Sequence, residues 1–257
     1  MGALRRLFRF RSLVWYLAQR DLKVRYRRSS IGLLWSMLQP LLMMLVFRTI
    51  FGAAFRFDLP DYSVYALSGV LLWNFFQQTI VSSMHTLRGN ASILQKMPLP
   101  REVFPIATVV SGLVNLSLAL VPLLGILLAT RHPIRFPILF VPAAMAIAAA
   151  FTLGLGLLLS PLAIFFTDVV EIVGVLLTVL LYLTPIFYPV AIVPARFRWI
   201  LRWNPVRLVL DAFRTPIYAG TVPPPAVIGA AAAVSLLVLV AGWAAFRRMS
   251  DRIPFYL

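Results

Sequence analysis

Stretches free of Asp, Glu, Lys and Arg alternate along the chain with short clusters of basic residues. The uncharged runs are Ser29–Phe47, Tyr62–Leu87, Val103–Thr130, Phe136–Thr167, Ile172–Ala195 and Thr215–Phe246. Each is close to or above the ~20 residues a helix needs to cross a hydrocarbon core about 30 Å thick. The runs are continuous and show no two-residue alternation, so helices rather than a barrel are expected. The pattern predicts an all-α polytopic membrane protein with six transmembrane helices. They would run roughly over 31–54, 62–86, 103–129, 137–160, 169–190 and 226–246. A cytoplasmic N-terminus (1–30) and a cytoplasmic tail (248–257) would flank a transmembrane domain over 31–247.

Composition agrees with a bilayer as solvent: 61% of the 257 residues are hydrophobic and 12% are charged, where a soluble domain is nearer half and a quarter. Formal net charge is +16, which in isolation would suggest nucleic acid. Here the charges sit at span ends, so anionic membrane lipids are the expected contact and no nucleic acid is. The basic residues concentrate in the N-terminal segment, in the loop carrying Arg88, Lys96 and Arg101, and in the tail with Arg247, Arg248 and Arg252. That asymmetry places both termini in the cytoplasm. The basic start lacks the apolar core and cleavage site of a signal peptide, and is expected to be retained.

Two segments resist the spanning pattern. Residues 12–28 read as an amphipathic helix too polar to cross. Ser12, Tyr16, Gln19, Arg20, Lys23 and Arg27 share one arc, and Leu13, Val14, Leu17, Ala18, Leu22 and Val24 cover much of the rest. Asp21 and Arg25, spaced i and i+4, can pair. Such a helix would lie on the inner leaflet as a docking surface. Residues 191–225 form two short amphipathic stretches broken at Asn204-Pro205, which suits re-entrant half-helices at the outer interface. Pro223–Pro225 then stops the chain before the last span.

Candidate chemistry is sparse. There are no cysteines and two histidines, His85 and His132, placed at opposite membrane faces by this topology. A disulfide framework is impossible, and a metal site or Ser-His-acid triad is not expected. The lysines are Lys23 and Lys96, neither in a Gly-Lys-Ser/Thr phosphate loop, so the chain is not expected to hydrolyse ATP. Arg48, near the outer interface, reads as a snorkelling side chain. The segment 87–101 would offer a short helix exposing Ile93, Leu94 and Met97 beside Lys96 to a cytosolic partner. Asp168 and Glu171 mark a hinge between spans four and five. Span two carries Tyr62 and Tyr65 near its outer end and Trp73, Asn74, Phe75, Phe76, Gln77 and Gln78 deeper. Amides in hydrocarbon need partners or water, which bundle packing or a wet channel would equally supply.

Three blocks carry a resemblance: "RDLKVRYRRSSIGLLWSMLQPLLMMLVF" at 20–47, "KMPLPREVFP" at 96–105, and "TPIFYPVAIVP" with "LRWNPVRLVLDAFR" at 184–214. With the six-span layout they resemble the ABC-2 type permeases that export polysaccharides such as O-antigen, teichoic acid and capsule. The resemblance implies a half-transporter of the type V exporter kind in the bacterial inner membrane. Two copies would form a homodimeric pore over two copies of a cytoplasmic ATPase, which would bind ATP and Mg; this chain would hold no cofactor. Residues 12–28 would be the interface helix, with Asp21, Lys23, Arg25, Arg27 and Arg28 near the diphosphate of a lipid-linked polysaccharide substrate. Residues 88–97 would be the coupling helix, with Arg88, Ile93, Leu94, Lys96 and Met97 facing the ATPase, and 191–214 would cap the channel. The lining would draw on Tyr62, Tyr65, Trp73, Asn74, Phe76, Gln77, Phe187 and Tyr188. The family commonly has Arg-Asp at the hinge, whereas Thr167 precedes Asp168 here, so only Asp168 carries over. Two other readings compete: an ABC-2 exporter of a small hydrophobic compound or drug, and a membrane-embedded glycosyltransferase. The scattered acids and lack of a DxD motif weigh against the second.

Overall fold

The computed structural model describes residues 10–26, 34–46, 49, 61–97, 99–253 and 256. Among these the chain is helical, with no β-strand. In order come α1 (Arg11–Tyr26), α2 (Leu34–Val46), α3 (Tyr62–Gly89), α4 (Ala91–Lys96) and α5 (Val103–Ala129). A 3-10 turn at Phe136–Phe140 leads into α6 (Val141–Phe165), followed by α7 (Asp168–Leu183), α8 (Arg198–Trp203), α9 (Pro205–Arg214) and α10 (Pro225–Ser250).

Local chemistry sets the breaks. Asn90 ends α3, its Nδ2 donating to the Thr86 carbonyl at 2.7 Å. Between α6 and α7, Phe166 is extended (φ −133°, ψ 112°). Thr184 is pushed to φ −100°, ψ 131° by Pro185, which disfavours helical backbone in the residue before it. So α7 stops at Leu183, short of the expected 190, and its 16 residues reach only about 24 Å. At the foreseen break, Asn204 caps α9: its side-chain oxygen accepts from the amides of Val206 (3.0 Å) and Arg207 (3.4 Å), with Pro205 in the first helical position.

Three described helical segments are long and apolar enough to cross a membrane: Val103–Ala129, Phe136–Phe165 and Pro225–Ser250. Helix α3 has the length, at 28 residues, but its amides, hydroxyls and His85 make it less apolar. It lies at the centre of the bundle instead, with most of its side chains buried against α5, α6, α7 and α9. The most extensive helix pair is α6 with α10. They cross at Gly154 and Gly242, where a Cβ on either glycine would fall on the other helix's backbone, a close approach that small residues permit.

A second apolar cluster joins the ends of the long helices: Leu87 of α3, Val103, Phe104 and Ala107 of α5, Leu157 and Ile164 of α6, Phe246 of α10, and Ile253. Leu17 of α1 completes it, with Leu13 and Val14 packed beside it. Helix α1 therefore binds the end of the bundle by the face its apolar residues predict. Ser12, Tyr16, Gln19 and Lys23 point outward, and so does Val24, from the expected apolar set. The expected residues Arg27, Arg28 and Arg48, with 31–33, 47–48 and 50–54 of the first span, lie outside the described residues.

Candidate functional site

A groove of about 1000 Å³ runs along α3. One wall is a polar stripe of α3: Asn74, Gln78, Ser82 and His85, whose spacing of three and four puts them on one helix face. The opposite wall is a matching stripe of α5, Thr108, Ser111 and Asn115. Gln39, Pro40 and Met43 of α2 and Arg20, Asp21 and Val24 of α1 close further sides. The charged and titratable groups of the lining, Arg20, Asp21 and His85, sit where α1 meets the last turns of α3. Elsewhere amides and hydroxyls face one another, with Leu67, Leu71, Phe75 and Leu116 between them. Such a wall can hydrogen-bond a hydrated, hydroxyl-rich solute without gripping it by charge.

The structure divides the eight expected lining residues into three groups. Asn74 lines the groove. Trp73, Phe76 and Gln77 occupy other faces of α3. Trp73 and Phe76 are buried, their rings 5.5 Å apart, with Phe76 stacked on Phe151 of α6 at 5.7 Å. Gln77 accepts a 2.9 Å bond from Trp73 Nε1. Tyr62, Tyr65, Phe187 and Tyr188 gather at the end of the bundle where α3 begins, beyond the groove.

That end is an irregular cap built from residues 184–197, α8, α9 and a π-turn at Thr215–Ala219. Where α7 stops, its successors' carbonyls lose helical partners, and in apolar surroundings each must find a donor. The donors come from α3 and α9. Tyr62 donates to the Phe187 carbonyl at 2.7 Å; the Tyr65 hydroxyl lies 2.9 Å from the Tyr188 carbonyl and 3.2 Å from that of Pro185. Arg214, 5% exposed, donates to the carbonyls of Pro185 (2.7 Å) and Ile186 (3.0 Å). Its guanidinium carbon lies 4.0 Å from the Tyr65 ring centroid, a favourable cation–π arrangement. Asn204 donates to the Leu183 carbonyl at 3.2 Å and to Thr184 Oγ1 at 3.0 Å. Nearby, Arg207 pairs with Asp211 at 3.2 Å. Burial pushes the Asp211 carboxyl up, and the Arg207 and Arg214 guanidinium groups oppose that rise. Imidazole His132 joins the rim, with Nδ1 2.7 Å from Asp61 Oδ2 and Nε2 2.9 Å from the Tyr218 carbonyl.

At the other end, α4 exposes Lys96 and Met97, as expected, while Ile93 and Leu94 turn inward and half-bury against the cluster around Leu17 and Leu87. A six-residue helix lying across apolar helix ends must spend one face on them. Arg88 donates to the Ala163 carbonyl at 3.4 Å, and Arg101 of the 96–105 block binds the carbonyl and hydroxyl of Ser250, fastening α5 to α10. Asp21 accepts from Arg20 at 3.0 Å; the side chain of Arg25, its expected i+4 partner, lies outside what the structure describes. Lys23 is exposed. Asp168 is exposed at the α6–α7 break, with Thr167 Oγ1 at 3.4 Å and no ion pair among the described residues.

The sequence reading missed Arg214 and the Ser82–His85 extension of the stripe. The stripe had a signal, since Asn74, Gln78, Ser82 and His85 repeat at helical spacing through an apolar run. Arg214 had none in its own neighbourhood: its acceptors lie 28 and 29 residues back.

Comparisons with known proteins find relatives along most of the chain. An O-antigen export system permease protein, RfbA, of Myxococcus xanthus is 32% identical over 248 residues, 94% of this chain and 92% of that protein. A protein of the same description from Klebsiella pneumoniae is 30% identical over 80% of each chain. The polysialic acid transport protein KpsM of Escherichia coli is 21% identical over 90% of this chain and 91% of its own. Residues 12–218, which take in the groove walls and all but one end residue each of α1 and the cap, match the ABC-2 type transporter family. By that match and the full-length likeness to RfbA, the chain belongs to the ABC-2 type transporter family.

Proposed function

We propose that this chain is the membrane-spanning subunit of an ATP-driven exporter of polysaccharide, carried across the bacterial inner membrane on a lipid. The observation that carries the reading is the groove: two facing stripes of amides and hydroxyls inside a bundle whose outside is apolar. A hydroxyl-rich polymer needs a wall of that chemistry, whereas a small hydrophobic cargo would gain nothing from amides that cost free energy to bury. The curated relatives named above are permeases and transport proteins for O-antigen and polysialic acid, which supports the same cargo class.

In this reading the chain crosses six times, with α2, α3, α5, α6, α7 and α10 as the crossings and both termini in the cytoplasm. Helix α3 tolerates its polar side chains because protein or water surrounds it, and α7 completes its crossing through the cap. A second copy faces the groove and turns two half-channels into one conduit. Helix α1 lies at the inner interface, where Arg20 and Lys23 meet lipid headgroups. Helix α4 presents Lys96 and Met97 to a separate ATPase that binds ATP and Mg, with Ile93 and Leu94 holding its back. Asp168 marks the hinge at which α7 shifts against α6.

The test is export in a host that makes the lipid-linked polymer. Cell-surface polysaccharide should require both this chain and its ATPase, and polymer should accumulate inside when either is missing. Surface polymer that appears without this chain contradicts the reading. At the coupling helix, Lys96→Glu with Met97→Asp should leave ATP hydrolysis in place and cut export at least several-fold; unchanged export removes α4 from the drive train.

A further inference from the structure

The His132 ring meets two acceptors. Its Nδ1 lies 2.7 Å from a carboxylate oxygen of Asp61, and its Nε2 lies 2.9 Å from the backbone carbonyl of Tyr218. A neutral imidazole carries a proton on one nitrogen only, so it would satisfy one contact and turn a lone pair toward the other. We propose that His132 and Asp61 form a proton-binding site, in which the ring is held as imidazolium and clasps three segments of the chain together. Imidazole is by ordinary values a stronger base than a carboxylate, which puts the shared proton on the ring. The site stands on this geometry; only the compartment that supplies its proton rests on the orientation proposed above.

Local structure aims both partners. Asp61 precedes α3, where an aspartate ordinarily accepts from the first amides of its own helix. Its side chain makes no such cap and turns to His132 instead, from a left-handed backbone at φ 50°. Helix α5 closes with Arg131 also left-handed, at φ 55°, and with the His132 amide donating back to the Leu127 carbonyl at 2.9 Å. Such a closure usually has glycine where Arg131 stands. Two non-glycine residues keep that backbone only where their surroundings fix them. The imidazole is nearly parallel to the Tyr218 ring, with centroids 6.0 Å apart, which suits a cation beside an aromatic face. The His132 side chain is 8% exposed, while Asp61, at 37%, opens the pair to water.

The other charged and titratable neighbours come from three elements. Arg131 and Arg135 share the loop and are exposed, with the Arg135 side chain against Gly220 beyond the π-turn. Tyr218 stands on the π-turn, and Tyr65 of α3 meets its ring edge-on at 5.2 Å. Arg214 lies over the Tyr65 ring in turn. Asp61 is the carboxylate at hydrogen-bond distance from the imidazole. Loss of one proton deletes one of the two bonds. The residue before α3, the α5–α6 connection and the π-turn before α10 then hold together less firmly. The clasp is complete at low pH and loses a bond as the pH rises.

The chain has two histidines, His85 and His132, so nitrogen-15 labelling of histidine resolves the site. The full chain, purified through a tag without histidine and placed in lipid nanodiscs, is studied by nitrogen-15 NMR at about pH 6 and about pH 9, on either side of the ordinary imidazole range. His132→Gln assigns the signals by removing them. Should that variant fail to fold, His85→Gln leaves one labelled ring and assigns it equally. At the lower pH both ring nitrogens of His132 should carry protons, and at the higher pH one should be bare. His132→Gln and Asp61→Asn should each lower the melting temperature at the lower pH by roughly 3 °C, and the double variant by no more than either. At the higher pH the gap to the unaltered chain should narrow by about half or more. A ring that is neutral at the lower pH overturns the proposal, as do losses that simply add or a gap that ignores pH. If neither variant folds, NMR on His85→Gln decides alone. In sealed right-side-out vesicles the ring should follow the external pH. A ring that follows the internal pH leaves the proton site standing and contradicts the orientation under the proposed function.

Discussion

Helices α3 and α10 differ in length by two residues (28 and 26) and invert the rule learned from soluble proteins. Helix α10 is apolar and exposed, with Leu236, Leu237 and Val240 at 60–69% of full accessibility. Helix α3 carries Asn74, Gln77, Gln78 and His85 and is buried along most of its length. In water the first would aggregate and the second would be an odd core. In a bilayer, hydrocarbon solvates α10 and leaves polar groups to be sheltered by protein. The most polar long helix therefore belongs at the centre, and in the proposed reading its sidedness marks the wet path.

The largest break in this comparison should come from the packed side of α3. Phe76→Ala removes a ring packed between Trp73 and Phe151 and should cost about 3 to 5 kcal/mol of stability. Thermal melting in detergent should register the loss, and export should fall only as far as protein abundance does. A drop in export at unchanged abundance would move Phe76 into the route. Next, Leu237→Arg on the lipid face of α10 should cost ~3 kcal/mol of insertion. Gln78→Arg on the groove side of α3 should cost a small fraction of that, so the amounts recovered in the membrane fraction should separate the two. Asn204→Ala, which strips the cap of α9 and two bonds to the end of α7, should lower stability by about 1 to 2 kcal/mol. The smallest effect on the fold and the sharpest on function should be that of Gln78→Leu: a melting temperature within about 1 °C, with export per molecule reduced several-fold.

Much of the fold was legible because its causes are local. The limits of α5 follow from Glu102 and Thr130, the break at Asn204-Pro205 from capping and proline geometry, and the start of α10 from Pro223–Pro225. The site was legible only in part. Spacing shows that Tyr62, Tyr65 and Gly69 share a face, but not that the face meets a loop more than a hundred residues away. Nothing near Tyr65 announces that its hydroxyl serves the Pro185 and Tyr188 carbonyls. Ile93 and Leu94 read as exposed because α1, which helps build their seat, lies far back in the chain. The aromatic rings of α3 invited a place in the lining, yet large apolar rings pack best against other rings, and Trp73 and Phe76 meet α6 instead.

The central claim is that one stripe of α3 faces water while its other faces do not. Single cysteines at 74, 78, 82 and 85, at 72, 73, 76 and 80, and at 236, 237 and 240 can be titrated with a water-soluble maleimide in open membrane fragments. The account expects fast labelling of the first set, with the period of one helix face, and slow labelling of the second and third. Protection of positions 74 and 78 equal to that at 237 would contradict it.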